Sequence, residues 1–390
     1  MKGVRILTLS FMILMMMTAC ASPADQQAGM GNPEQNSAAS TDSESLGNNS
    51  VEGNGTLSER IDASILKPSE GLNFESNGDG TCTLIGIGIC KDSDVVIPAE
   101  SPEGEILSSI EKRAFFGLED VNSVTLLNVS CEVEESAFSY SEITALHIIG
   151  GEPVIGQSAF SGCEDLENII FQDSNFLLEK GSFFGIGKDA VVSFSGCTGT
   201  IEESAFPYSD LHTLSIADCN LTIGNNAFSS CEDLTGISML DSRIMVEDSA
   251  FFGAGDEADV QAVNTSLTLE DGAFQYASLN SLSLSGESLE IGASAFFCCE
   301  DLATIHMDSP AVTIGEYAFY SCEDLASVSI CENDWTDNVI SIEDQAFAYC
   351  RDLTTVVIGD GTVEIGDGVF SECAKDLTIT IAGQSYMNLS

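Results

Sequence analysis

Residues 291–307 read IGASAFFCCEDLATIHM. Nearly the same phrase occurs at 155–170, IGQSAFSGCEDLENII, and at 223–238, IGNNAFSSCEDLTGIS. The Phe of the Ala-Phe phrase acts as a ruler. It stands at 115, 138, 160, 183, 206, 228, 251, 274, 296, 319, 347 and 370, with gaps of 23, 22, 23, 23, 22, 23, 23, 22, 23, 28 and 23. Units of this size cannot bury an apolar face alone, whereas stacked neighbours can, so the spacing predicts a solenoid of about twelve coils. A longer period lies above the short one. Phe115, Phe183 and Phe251 each open "FFG" and stand 68 apart, as do Tyr140, Tyr208 and Tyr276, and Cys163, Cys231 and Cys299. Three units therefore form a duplicated cassette, and each coil must accept a near-identical neighbour.

Within a unit, Ile305, His306 and Met307 alternate in period two, which predicts a half-buried strand. Leu211-Leu214-Ile216 and Leu325-Val328-Ile330 repeat the pattern. Ile291-Gly292 and Ile314-Gly315 read as a second short strand or turn. The Phe fills the coil and stacks on the next, burying about 150–250 Å² per ring. At about 4.8 Å per strand, twelve coils make a rod of roughly 55 Å.

This pattern, over about residues 106–382, resembles the BspA-type leucine-rich repeat of bacterial surface proteins. Units four and seven depart from it, because they lack the CEDL signal. The preceding stretch, GLNFESNGDGTCTLIGIGICKDSDVVIPA at 71–99, resembles that family's N-terminal hairpin and opening strand. Asn77-Gly78-Asp79-Gly80 supplies the turn chemistry for such a hairpin, within a capping region at 57–105. The resemblance implies a mainly β, curved solenoid with short or no helices, followed by a tail at 383–390. It also implies binding at the cell surface, commonly to a host or neighbouring-cell protein.

The chain opens MKGVRILTLSFMILMMMTAC. Lys2 and Arg5 precede an apolar run, Ile6 to Met17, too short to span a bilayer. Met17-Thr18-Ala19-Cys20 resembles the lipobox of bacterial lipoproteins, with Met17 where Leu is usual. It makes 1–19 a signal peptide and Cys20 the site of lipid attachment. An ordinary secretory signal cut near Ala19 or Ala21 is the alternative. Residues 20–56 hold no aromatic residue. They cannot bury enough apolar area to offset their ordering entropy, and read as a disordered tether with a reach of roughly 30–35 Å.

Lys and Arg number 12 against 62 Asp and Glu, a formal charge of −50. Removing 1–19 leaves 10 − 62 = −52. Such a field repels nucleic acid and anionic headgroups, which leaves the lipid anchor as the only membrane contact. Fourteen cysteines in an exported chain raise the question of disulfides. Six of them follow the ruler Phe by three residues: Cys163, Cys231, Cys299, Cys322, Cys350 and Cys373. In that place Cys reads as a small buried hydrophobe filling the turn, Glu-Asp faces water and Leu starts the strand. Disulfides between adjacent coils, such as Cys322 with Cys350, or within the hairpin, Cys82 with Cys90, are the rival reading. No zinc spacing occurs. Glu300-Asp301 and Glu323-Asp324 stack like charges one coil apart. This is a solvated face or, alternatively, an oxygen ladder for calcium.

Columns of like residues do not make a reactive centre, and no catalytic or cofactor motif is present. The acid pairs are too numerous to single out a glycosidase couple. The three histidines are His147, His212 and His306; the first and last share one column, seven coils and roughly 34 Å apart. No enzyme is expected. The outward strand column reads Thr125, His147, Ile170, Ser193, Ser215, Ser238, Gln261, Ser283, His306, Ser329, Val357 and Thr380. It is small and mostly polar and lacks the aromatic platforms that sugars use. His147, Ser215, Ser283 and His306 are its candidate contacts for an extracellular or cell-surface protein. The long gap between Phe319 and Phe347 carries CENDWTDN, whose Trp335 is a candidate anchor or a side chain folded over the edge. A spacer without a ligand, and a calcium- or glycan-binding lipoprotein, are the alternative functions.

Overall fold

The structure is a computed structural model that describes residues 60–331 and 337–387. The leader, the whole tether with Cys20, and Trp335 lie outside the described residues. Two sheets of fourteen strands form the body. Every pairing is parallel except the one at an end of each sheet, so thirteen strands per sheet wind as thirteen turns. The Phe ruler marks twelve. The extra turn comes from Asp94–Pro98, which pairs with Ser123–Leu127 but carries no Ala-Phe phrase. Among the described residues there is no α-helix, only the 3-10 turn Ala63–Ile65.

One coil shows how the phrase folds. Leu289–Ile291 lies in the first sheet, and Gly292 to Leu302 turns the corner. Thr304–Asp308 then lies in the second sheet and Ala311–Ile314 returns to the first. Ile291 and Ile314 therefore each end a strand, and the Gly that follows opens the corner. Leu302 is fully buried but precedes the strand by two residues, because its N–H closes a turn on Cys299. In Leu211–Ala217, which has no CEDL signal, the strand does start at Leu211.

The corner is built around the Phe. Its N–H donates to the residue before the next coil's Phe, as from Phe228 to Ala250 and Phe251 to Ala273, both at 2.8 Å. The ring lands on its neighbour. All twelve ruler rings stack, with centroids 4.6–5.8 Å apart and planes within 14°. Burying each is worth about 1.5–3 kcal/mol, and ring pairing adds about 0.5–1.5 kcal/mol. On either side of the Phe, two residues away, the backbone is left-handed, as at Asn226 (φ 55°) and Ser230 (φ 56°).

The thiols answer the cysteine question. Each of the six Cys three residues past a Phe donates to the carbonyl of the preceding coil's Phe. The distances run from 3.1 to 3.3 Å, as from Cys231 to Phe206 at 3.2 Å. Ser209 does the same for Phe183 at 2.9 Å. All thirteen described cysteines are free thiols, including Cys82, Cys90, Cys322 and Cys350.

Both ends are closed by hairpins. Asn73–Ser76 folds antiparallel on Thr81–Gly86 at one end. At the other, Gln384–Met387 folds back on Thr378–Ile381, so this part of the expected tail is a strand. Ahead of the first hairpin, Ile61 exchanges two hydrogen bonds with the Gln172 side chain and Arg60 pairs with Asp173.

Candidate interaction surface

The second sheet aligns the outward column residue for residue. Val96 pairs with Thr125, then come His147, Ile170, Ser193 and Ser215, and the register runs on through Ser283 and His306 to Thr380. Accessibility varies along it. Thr125, Ser193 and Ser215 are sunk between neighbouring strands, with Ser215 only 8% exposed. His147 is half-buried, while Ser283 and His306 are exposed. The column is therefore fully open at Ser283 and His306, with Gln261, Ser329, Val357 and Thr380 half-buried. Hydroxyls tie it across coils. Ser238 donates to Ser215 at 3.2 Å, and His306 Nδ1 lies 2.6 Å from Ser329 Oγ. His147 Nδ1 lies 3.3 Å from Thr125 Oγ1, and burial depresses its pKa below 6.5 against an opposing pull from Asp94. With seven strand steps between them, the two histidines share no proton and no metal.

A second surface follows the corner between the sheets. In nine of the twelve coils one of the two residues after the ruler Phe is aromatic and reaches the surface, while its neighbour can be buried, as Ser139, Cys298 and Ala348 are. Phe116, Tyr140, Phe184, Tyr208 and Phe252 are 38–65% exposed. They meet edge to face across coils: Phe116 with Tyr140, Phe184 with Tyr208, and Phe252 with Tyr276, at 5.5–5.9 Å. From Tyr276 the row continues through Phe297 and Tyr320 to Tyr349, at 6.0, 5.2 and 5.0 Å. The FFG and Tyr repeats that mark the cassette are thus also a row of surface rings. The clue lay in the same 68-residue spacing. It read as duplication because only a left-handed corner turns those side chains out: Tyr140, Tyr208, Tyr276 and Tyr349 have φ of 58°, 54°, 60° and 65°.

Carboxylates flank this row. Glu300 is held above its usual range by burial and then by Glu323, Asp301 and Asp324, the expected cost of stacking like charges. The next coil relieves it with Arg351, whose Nη1 lies 2.7 Å from Glu323 Oε1. Among the described residues no group of three or more His, Cys, Asp or Glu is placed to hold a metal ion. Along the opposite edge, where the second sheet turns back to the first, runs an open cavity of about 1040 Å³. Cys197, Asp218, Asp241, Arg243 and Asn264 of successive coils line it. Trp335, outside the described residues, falls in the sequence between Ser327–Ile330 and Val339–Ile342.

Two parallel sheets joined by Phe-stacked corners, with no crossing element, define a β-solenoid of leucine-rich repeats. The family model for the BspA type leucine rich repeat region matches in six copies, over residues 96–206, 154–260, 199–326 and 326–388. Together the matches run unbroken from 96 to 388, well over half the chain, and the protein belongs to this family. Two solved structures are similar in part. A leucine-rich repeat protein from Bacteroides ovatus ATCC 8483 is 21% identical, with 79% of this chain and 92% of that one covered and a TM-score of 0.31. A leucine rich cell surface protein from Faecalibacterium prausnitzii A2-165 is 17% identical, with 82% and 95% covered and a TM-score of 0.26. At those scores the fold rests on the coordinates and the family match alone. No curated protein matches the chain.

Proposed function

We propose that the protein is a cell-surface interaction module, held to the membrane by a lipid on Cys20, that binds an extracellular or cell-surface protein. The observation that supports this is the outward column of the second sheet. It is an in-register face of small, mostly polar side chains, open to solvent at Ser283 and His306. A long shallow sheet suits a broad protein partner, and small residues admit close backbone approach. The chain's columns of like residues give no converged set for catalysis.

The test is capture from extracellular-matrix and co-resident bacterial proteins by the immobilised chain, compared with Ser283→Trp/His306→Trp. A partner held by the native chain and lost from the double variant supports the column. Equal capture by both overturns it, and no capture by either leaves the solenoid as a spacer. The anchor is checked separately. Cys20→Ala moves the protein from the membrane fraction to the medium; an unchanged membrane fraction removes the lipid from the account.

A further inference from the structure

The aromatic row has two halves that differ in charge. In the N-terminal half the chain supplies its own cations. Arg113 sits over the Phe116 ring, 5.0 Å from its centroid. Lys112 pairs with Glu135 at 2.7 Å, and Lys180 with Glu203 at 2.8 Å, beside the Phe184–Tyr208 pair. One cassette later the counterparts of Lys180 and Glu203 are Asp248 and Asp271. Arg243 is the only Lys or Arg between Lys188 and Arg351. Through that stretch, rings run from Phe252 to Tyr349 with carboxylates on both sides. Asp248, Asp271 and Glu316 stand three residues before the Phe, and Glu300-Asp301 and Glu323-Asp324 follow it. Perpendicular contacts of 72° and 78°, from Phe252 to Tyr276 and from Tyr276 to Phe297, interrupt parallel stacking along the row, in which Phe252 is exposed and Tyr276, Phe297, Tyr320 and Tyr349 are half-buried.

We propose that the row Phe252–Tyr276–Phe297–Tyr320–Tyr349 and its flanking carboxylates form a docking strip for an arginine-rich segment of a protein partner. The inference rests on the reading that the solenoid binds proteins, and adds a contact on the corner to the one on the strand column. Guanidinium over an aromatic face, beside carboxylates, is favourable in both respects. The contact between Arg113 and Phe116 shows the mode within the chain itself. The strip also carries unrelieved repulsion: burial and then Asp271 raise the Asp248 carboxyl, and burial and then Asp248 raise Glu270. A bound cation removes that repulsion. The ring side chains are kept where cheaper residues would serve. The position of Tyr276 is Gly in other coils (Gly117, Gly185, Gly253), and glycine takes a positive φ without strain.

The experiment is fluorescence anisotropy of labelled octa-arginine with the chain lacking residues 1–19, at fixed ionic strength near 0.15 M. The strip variant is Phe252→Ser/Tyr276→Gly/Phe297→Ser, residue types that other coils carry at those places. Its net charge is unchanged, and an unchanged melting temperature verifies its fold. Exposed cation–π contacts of about 0.5–1 kcal/mol each predict a loss of about ten-fold or more. The N-terminal control, Phe184→Ser/Tyr208→Gly, is expected to change binding less than two-fold. Equal octa-arginine binding by native and strip variant overturns the proposal, since the attraction is then only the acidic field. An equal loss in the control also overturns it. So does a neutral β-glucan oligosaccharide that binds the native strip in place of the peptide. Ser283→Trp/His306→Trp leaves octa-arginine binding intact, so a failure of the column and a failure of the strip read out separately.

Discussion

At the scale of a residue, the corner assigns each side chain one task. The Phe stacks, and the Cys three residues later donates to the carbonyl of the Phe one coil back. Burial pushes the Cys231 thiol up to about 12, so it stays protonated and able to donate at any physiological pH. Ser209 performs the same service natively. Cys231→Ser is therefore expected to cost less than about 1 kcal/mol, while Cys231→Val, similar in volume but without a donor, costs about 1–2 kcal/mol in denaturant unfolding. A reversed order would mean that packing alone selects the thiol. Phe228→Ala opens a hole between two stacked rings, and about 3–5 kcal/mol is expected in the same measurement. The stacking was legible in the sequence because a ring repeated every 22–23 residues has one geometric solution. The donor role of the Cys was not, because the acceptor lies in another coil, 25 residues away in the case of Cys231.

At the scale of an element, the unit is the coil and its neighbours are nearly copies. The outward column could be read in advance because strand side chains alternate strictly, so one residue per coil fixes the whole face. The thirteenth turn escaped the ruler, since Asp94–Pro98 pairs like any other strand but has no Ala-Phe corner before it. The C-terminal hairpin escaped because its turn uses Ala382 (φ 48°) with Gly383 (φ 71°) rather than an Asn-Gly or Asp-Gly pair. Near-identity of coils has a consequence for deletions. Excising 183–250, one cassette, joins coils that already accept such neighbours. The product is expected to stay folded and to gain no self-association over the native chain, shorter by about 14 Å at the strand spacing, as read by size exclusion and circular dichroism. Removing 60–86 instead strips the hairpin from Ile106–Ile110 and leaves an open edge, and self-association is expected. If cassette excision aggregated as the capless chain does, the coils would not be interchangeable.

At the scale of the whole molecule, the formal charge of −50 sets how stability responds to pH and salt. Asp248, Glu270 and Glu300 titrate above their ordinary 3.8, 4.5 and 4.5, chiefly through burial and then neighbouring carboxylates. For a raised carboxyl the folded chain takes up its proton before the unfolded chain does. Stability therefore rises as pH falls from neutral through the raised values, and the gain is complete below the ordinary ones. His147 works in the other direction. Its pKa lies below 6.5, so the unfolded chain protonates first, and stability is lost as pH falls from 6.5 toward the folded value. Three carboxyls oppose one imidazole; Asp62 and Asp79, lowered by hydrogen bonds from Ser64 and Thr81, lose their contribution only below the ordinary 3.8, outside the range from pH 8 to pH 5. The melting temperature in low salt is thus expected to be higher at pH 5 than at pH 8, with His147→Gln widening the difference. Adding 0.5 M NaCl shortens the Debye length to about 4–5 Å, near the coil spacing, so it raises the pH 8 value and narrows the gap. A melting temperature that instead falls steadily from pH 8 to pH 5, with no response to salt, would show that the stacked carboxylates do not repel across coils and that burial of His147 governs the acid limb.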